Sequence, residues 1–379
     1  MAKKSDIPDG LKDAFKTLDK MNPYSSILSE NCISVVTDYI DTGSMALNAI
    51  ISGSTFGGVP KGKLIGFVGP TGSGKTLILN KIIGNAQKKD PDVWGVVWDT
   101  ENAYDPRMVS NVGGNPDRIK VNPVGTVEDC RNQISTFLDK IIADPSLHGK
   151  IIIAIDSLGN LSSAKEIADA EKGKDAVDMG MRAKALKSMM RVLTYKCALA
   201  NVTILFANHT YADPTAMYPS MFQNQSGGSG SQYISHVIVQ LSVTQEKAEA
   251  GDGDSMGGSS KIKGVNLRAL TVKNRVIPHG KTTSLYLNFL NGLYKYSGII
   301  DLAEDLGVVT KQGNTYYLGE EKLGMRNSFK DDDSKWDKII ESLNSVMKDK
   351  WMYSSEADKL KAEVERLSDV ELGDVDDND

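Results

Sequence analysis

Cysteine is scarce in this chain of 379 residues: there are three, Cys32, Cys130 and Cys197, an odd and widely spaced set. That pattern excludes a disulfide framework and the paired ligand spacing of a zinc site, so the three read as packing residues. Long apolar runs are missing too. No stretch approaches 18 apolar residues, and the Met-Ala-Lys-Lys start is not followed by the apolar run of a secretory signal, so no membrane segment and a cytoplasmic location are expected. No internal repeat is visible, which argues against a solenoid. The Gly-Asp-Gly-Asp run at 251–254 lacks the glutamate and spacing of a calcium loop, and Ala250 to Ser260 reads as a linker.

An excess of positive charge is also lacking, with a net charge of −5. Residues 353–379, however, hold ten Asp/Glu and three Lys/Arg, which leaves 41 basic and 39 acidic residues in the rest of the chain. The acidity is concentrated in a tail, and a near-neutral body can still display a basic stripe. Total charge therefore does not exclude a nucleic-acid partner. At 40% hydrophobic, the chain has material for one large core and a second small unit.

The stretch around which the chain is organised is Lys63 to Asn80, where an apolar strand runs through a glycine-rich turn into a helix. Gly69-Pro70-Thr71-Gly72-Ser73-Gly74-Lys75-Thr76 fits GxxxxGK[ST] at every fixed position, in the strand-turn-helix context that phosphate binding requires. Glycines let successive backbone N–H groups converge on phosphates, over the positive end of the following helix. Lys75 would neutralise phosphate charge, and the Thr76 hydroxyl would ligate Mg²⁺.

Three more apolar runs come after it. Lys150 to Asp156 has the appearance of a central parallel strand buried on both faces, and Asp156 at its carboxyl end would face the ligand crevice of an open α/β sheet and hold Mg²⁺ through water. Val93 to Asp99 delivers Thr100 and Glu101 to the same edge. Glu101 is then a candidate general base for water attack on a γ-phosphate, or a plain surface glutamate. Val202 to Ala207 ends in Asn208-His209-Thr210, after which no convincing periodicity is present to about Gln232, a candidate mobile ligand loop.

Between these strands, Met181, Ala185, Met189, Leu193 and Cys197 recur every four residues, while Lys184, Lys187 and Arg191 line another face. This predicts an amphipathic helix whose basic stripe is either a solvated face or a ligand surface. The polar segment Lys165 to Met179 before it is a second candidate loop. At the amino end, Leu11, Phe15, Leu18 and Met21 have helical spacing and Cys32 to Ile40 read as extended; these pieces pack on their own core or on a neighbouring subunit. Val237 to Val243 and Leu267 to Lys273 are strand-like, and beyond Ser297 the chain becomes short helical and extended pieces ending near Trp351.

In chain order, the phosphate loop, WDTENAYDP (98–106), IIIAIDSLGNL (151–161), MGMRAKALKSMMRVL (179–193), LFANHT (205–210), SGGSGSQY (226–233) and VKNR (272–275) resemble the RecA family of DNA strand-exchange proteins, most closely the UvsX-like recombinases of tailed phages. The match runs from about Thr42 to Trp351. A phosphate loop alone is common to very many NTPases, whereas the ordered set is specific.

The resemblance implies a doubly wound, mostly parallel α/β core at 42–296. An oligomerising helix and strand (1–41) would precede it, and a small α+β domain (297–352) and the acidic tail (353–379) would come after it. It also implies ATP and Mg²⁺ as cofactors, with Glu101 activating water, Asp156 on the metal side, and Asp105 and Met108 bordering the adenine. His209 would stand where relatives carry a glutamine that senses the γ-phosphate. Lys273 and Arg275 would reach across a subunit interface to a neighbour's γ-phosphate. Met179, Gly180, Lys184 and Arg191, with Ser226, Gly227, Gly228 and Ser229, would hold single-stranded DNA. The implied activity is filament formation on single-stranded DNA, pairing with homologous duplex and strand exchange, served by a loading mediator and a single-strand-binding protein in a phage-infected bacterium. A hexameric helicase of the same core fold and a non-hydrolysing DNA-binding protein are the alternatives.

Overall fold

The computed structural model describes residues 7–28, 30, 32–173, 180–211, 223–228, 230–244, 264–288, 292–329 and 332–352. Met179, Ser229, the linker at 250–260, the acidic tail, and much of both candidate loops lie outside the described residues.

The chain begins with α1 (Asp9–Met21), β1 (Tyr39–Ile40), α2 (Met45–Ser52), β2 (Val59–Pro60) and β3 (Leu64–Gly69). It continues through α3 (Lys75–Lys89), β4 (Trp94–Asp99), α4 (Pro106–Asn111), β5 (Ile119–Pro123), α5 (Val127–Ile142) and β6 (Ile151–Asp156). Next come α6 (Ala164–Glu171), α7 (Met181–Leu199), β7 (Thr203–Tyr211), β8 (Asn224–Gln225), α8 (Gly230–Ile234), β9 (Val237–Thr244), β10 (Gly264–Asn274), β11 (Thr282–Asn288) and β12 (Gly292–Leu293). The last pieces are α9 (Ile299–Asp305), a small antiparallel sheet of β13 (Val309–Gln312), β14 (Thr315–Leu318) and β15 (Glu321–Gly324), and α10 (Asp333–Trp351).

The main sheet runs β12-β11-β10-β9-β3-β7-β6-β4-β5. From β9 to β5 every pairing is parallel, and β10 to β12 extend it antiparallel. The apolar runs form these strands because both sheet faces are covered, so no alternation with polar residues is needed. Side chains nevertheless divide by parity: Ile65, Phe67, Ile152, Ala154, Leu205 and Ala207 join one hydrophobic cluster, and Leu64, Val68, Ile153, Ile155, Ile204 and Phe206 the other. The first is closed by α2, α3, α9 and α10, the second by α5 and α7. This is the doubly wound α/β architecture expected from the sequence.

Cys130 and Cys197 sit in the second cluster, where burial pushes both thiols up to about 12, in keeping with packing roles. Helix α7 buries Leu186, Met189, Met190, Leu193 and Cys197, but Met181 is exposed, so the apolar stripe starts a turn later than the four-residue spacing suggests. Two other expectations need revision. The segment from Lys165 opens as helix α6, because Ser163 and Glu166 form a reciprocal capping box, and of Cys32 to Ile40 only Tyr39–Ile40 pairs as strand, with β2 of the same chain. Helix α1 buries no residue and leaves Leu11, Phe15, Leu18 and Met21 exposed.

Gly66 in β3 is required by its neighbour: a Cβ there would overlap the Phe206 ring, which fills the space from β7. Phe206→Ala should cost about 3–5 kcal/mol through the cavity it leaves, and Gly66→Ala about 1–3 kcal/mol through overpacking. The double variant should cost less than their sum, as read by urea unfolding, because the cavity accepts the added methyl.

Candidate functional site

Parallel register brings the chemistry-bearing residues to one edge. Gly69 at the end of β3 is level with His209 in β7, and Asp99 at the end of β4 is level with Asp156 at the end of β6. The glycine loop turns from β3 into α3 with Gly72 and Gly74 at φ of 79° and 73°, a left-handed region that other residues enter at a cost. Gly74 also packs so tightly on Leu287 that a Cβ would collide.

Lys75 is buried and donates to the carbonyls of Gly69 (3.0 Å) and Pro70 (2.8 Å), arching over the loop. Burial lowers its pKa, opposed by the Asp156 and Glu101 carboxylates. The Thr76 hydroxyl donates to Asp156 Oδ2 at 2.6 Å. Burial raises Asp156 to about 6, against the bond from Thr76. A hydroxyl and a carboxylate side by side at the amino end of α3 fit Mg²⁺, which takes one or two protein oxygens and completes its shell with water and phosphate. Among the described residues no group of three or more His, Cys, Asp or Glu is arranged to hold a metal alone.

Glu101 stands on a turn built by Asp99. The buried Asp99 carboxylate accepts backbone N–H bonds from Glu101 (2.9 Å), Asn102 (3.0 Å), Ala103 (3.1 Å) and Tyr104 (3.3 Å), which fixes the chain just past the strand end. Thr100 ties this turn to β6 by donating to the Asp156 and Ser157 carbonyls and accepting from the Ser157 N–H. Glu101 Oε1 accepts from Asn160 Nδ2 (3.0 Å) and Ser157 Oγ (3.4 Å), and His209 Nε2 lies 3.7 Å away. Its carboxylate is thus aimed by two side chains, beside His209, while remaining 41% exposed, open to water.

Asp105 caps α4 and is paired with Arg107 at 2.8 Å, which holds its carboxyl down at about 2; Met108 is half-buried one turn on. Lys184, Lys187 and Arg191 are exposed along α7, with Gly180 at its amino end. Gly227 packs on Leu186 of α7. The Ser226 N–H donates to the His209 carbonyl (2.9 Å), which ties the turn to β7, and the Gly228 N–H to the Gln225 carbonyl (3.3 Å), which closes the turn itself.

Lys273 and Arg275 are not brought to the glycine loop. They lie at the end of β10, where Asn274 pairs with Val237 and Val237 in turn with Ile65, the amino end of the parallel strands. From strand geometry this is roughly 15 Å from the Gly69 end of β3, beyond the reach of either side chain. Both donate to the carbonyl of Tyr233 instead.

Several residues that complete the site escaped sequence reasoning. Asp99 is one, although a carboxylate ending an apolar strand just before Thr-Glu-Asn is the pattern of a side chain that caps its own turn. Asn160 is a second, and Tyr104, whose hydroxyl bonds Asn80 of α3, is a third. The last two meet their partners only in the fold.

A family model for the RecA N-terminal domain matches residues 9–294. The recombination and repair protein of Enterobacteria phage T4 is 29% identical over 283 residues, covering 75% of this chain and 68% of the relative. Protein RecA of Cereibacter sphaeroides is 26% identical over 321 residues (84% and 86%), and that of Heliobacterium modesticaldum 28% over 316 (83% and 84%). The fold and the edge cluster define a doubly wound α/β protein of RecA-like architecture. The chain belongs to the RecA family. Membership implies an ATP-hydrolysing enzyme with a role in DNA recombination. Among the described residues no helix is long and apolar enough to cross a membrane.

His236, beside Lys273 and Arg275, gives a pH test. Burial depresses it to about 4 from 6.5, and the charges of Lys63, Arg275 and Lys273 add to the effect. Between those values the unfolded chain binds the proton and the folded chain does not, so its stabilising effect is present above pH 6.5 and lost as pH falls to 4. The loss of stability between about pH 7 and 4 should be about 3 kcal/mol smaller in His236→Gln, read from urea midpoints.

Proposed function

We propose that this protein is an ATP- and Mg²⁺-dependent recombinase, of the UvsX-like phage type, that polymerises on single-stranded DNA, pairs it with homologous duplex and exchanges strands. Similarity to the phage T4 recombination and repair protein supports the phage assignment. The same reading takes a host-cell cytoplasm as the place of action and a loading mediator and a single-strand-binding protein as partners.

In this reading the Gly69–Thr76 backbone amides cradle the triphosphate, Lys75 leaves its carbonyls to pair with phosphate oxygens, and Asp105 and Met108 border the adenine. Thr76 and Asp156 hold Mg²⁺, which when bound draws charge from the phosphates. Glu101, held by Asn160 and Ser157, takes the proton from an attacking water. His209, 3.7 Å from Glu101 and at the root of the second loop, donates to the γ-phosphate and couples it to the turn at Ser226–Gly228. The exposed Lys184 and Arg191 of α7, with Gly180 at its amino end, contact DNA phosphates, the amides near Ser226 to Ser229 grip the strand and Met179 wedges between bases, which makes binding sequence-tolerant and salt-sensitive.

The observation that carries the assembly is the placement of Lys273 and Arg275. Their own phosphate loop is out of reach at the opposite end of the strands, so the γ-phosphate they serve is bound by another copy. The exposed apolar face of α1 supplies a contact between copies as well. ATP then acts as adhesive between protomers, and hydrolysis loosens the joint.

Electron microscopy with an ATP analogue and single-stranded DNA should show helical filaments; rings with directional unwinding of forked DNA would replace this reading with a helicase. Glu101→Gln should bind ATP normally, lose at least about 100-fold in phosphate release and hold the filament together. Reversing both charges at Lys273 and Arg275 should abolish DNA-stimulated turnover and self-association together, and retention of both would end the proposal.

A further inference from the structure

Arg182 touches neither of the carboxylates at the sheet edge, yet its guanidinium is fastened to the turn that aims one of them. From the first turn of α7 it donates through Nε to the Leu161 carbonyl and through one terminal nitrogen to the carbonyls of Gly159 and Leu158, the latter at 3.2 Å. The same nitrogen lies 3.4 Å from Ser226 Oγ. These acceptors belong to two different segments. Leu158–Asn160 is the short 3-10 turn after β6, and Asn160 from it donates to Glu101 at 3.0 Å. Gly159 of the same turn lies against the His209 imidazole, close enough that a Cβ would stand 2.8 Å from Cδ2. Ser226 sits on the Gln225–Gly228 turn, bonded through its N–H to the His209 carbonyl and through its own carbonyl to Asn208 Nδ2 at 3.0 Å.

We propose that Arg182 is a positioning residue that couples DNA engagement to ATP hydrolysis, by clamping the Leu158–Leu161 turn beneath Glu101 and His209 to the start of α7 and to Ser226. The inference rests on the function proposed above. Arg182 is two residues from Gly180 and on the same helix as Lys184 and Arg191, so a displacement of α7 or of the Ser226 turn by a bound strand moves the guanidinium, and with it the carbonyls it holds. Asn160 and Gly159 carry that movement to Glu101 and His209. The planar guanidinium is essential, since Nε takes the Leu161 carbonyl while one terminal nitrogen meets Gly159, Leu158 and Ser226, a spread of acceptors in fixed geometry that a lysine ammonium, a single point donor, cannot reproduce. The basic stripe of Lys184, Lys187 and Arg191 is exposed, whereas Arg182 is turned inward and half-buried, which separates it from the groups that would meet phosphate.

The test is phosphate release by the full chain with and without single-stranded DNA, alongside ATP KM and the salt dependence of DNA binding, for Arg182→Ala and Arg182→Lys. Both variants should lose about tenfold in DNA-stimulated kcat, the scale of a charge-assisted hydrogen-bond set, while ATP KM and the salt slope stay at wild-type values. Asn160→Ala should lower the same rate, and its combination with Arg182→Ala should be no worse than the poorer single variant, because both act on one turn. Full rescue by lysine, a shallower salt slope, or additive losses in the double variant would each make Arg182 a DNA contact or an independent group and overturn the proposal. Should Arg182→Ala fail to fold, the Asn160→Ala and Arg182→Lys pair gives the same reading. Wild-type protein that DNA does not stimulate would sink the proposed function and this inference together, whereas stimulation retained by the variants would sink the inference alone.

Discussion

The constraint on which the rest depends is the register of four neighbouring parallel strands. Because Gly69 is level with His209, Ile155 with Phe206 and Asp99 with Asp156, the ends of β3, β6 and β4 fall within about two residues of one another, and the residues just past them are delivered to one crevice beside β7. Burial on both faces makes that register costly to change: a slip by one residue would exchange the two apolar clusters across the sheet. The edge is therefore as rigid as the core beneath it. Asp99 and Thr100 then convert rigid strand ends into a rigid turn, satisfying backbone donors that would otherwise have no partner so close to the interior.

Two kinds of group share this edge. Lys75, Thr76 and Asp156 are locked to the loop and to one another, suited to holding a fixed charge distribution around a phosphate chain. Glu101 and His209 are more open: Glu101 is held by side chains from the turn after β6, and the His209 carbonyl takes the Ser226 N–H of the second loop, so their placement answers to what those loops do. Rigid binding and adjustable chemistry thus stand side by side, and family membership in an ATP-dependent recombination class gives that arrangement its use.

Much of this was legible in the sequence for physical reasons. The glycine loop is a local pattern, set by φ and by the strand-turn-helix context, so Gly69 to Thr76 could be read from the chain alone. Strands buried on both faces announce themselves as runs such as IIIAID, and their last residues mark the edge. Contact between segments distant in sequence was not legible. Arg182 looks like any helix-surface arginine until the turn at 158–161 is seen beneath it, and the length of β7 into Tyr211 depends on pairing with β8, whose two residues carry no periodicity. Met181 misled because a four-residue spacing drifts off the buried face of a 3.6-residue helix over its length.

The separation of Lys273 and Arg275 from their own glycine loop has a consequence for any filament of such protomers. A contact in which one face gives and a different face receives is head-to-tail, so two copies cannot satisfy each other as a symmetric pair, and a helical stack is left with two unlike ends. In the assembly proposed above, the outermost subunit at one end would lend its cations to nobody; at the other, a bound nucleotide would wait without a donor and turn over slowly. Such a polymer would have a built-in arrow, its two termini exchanging subunits on different clocks even though every link in between is identical.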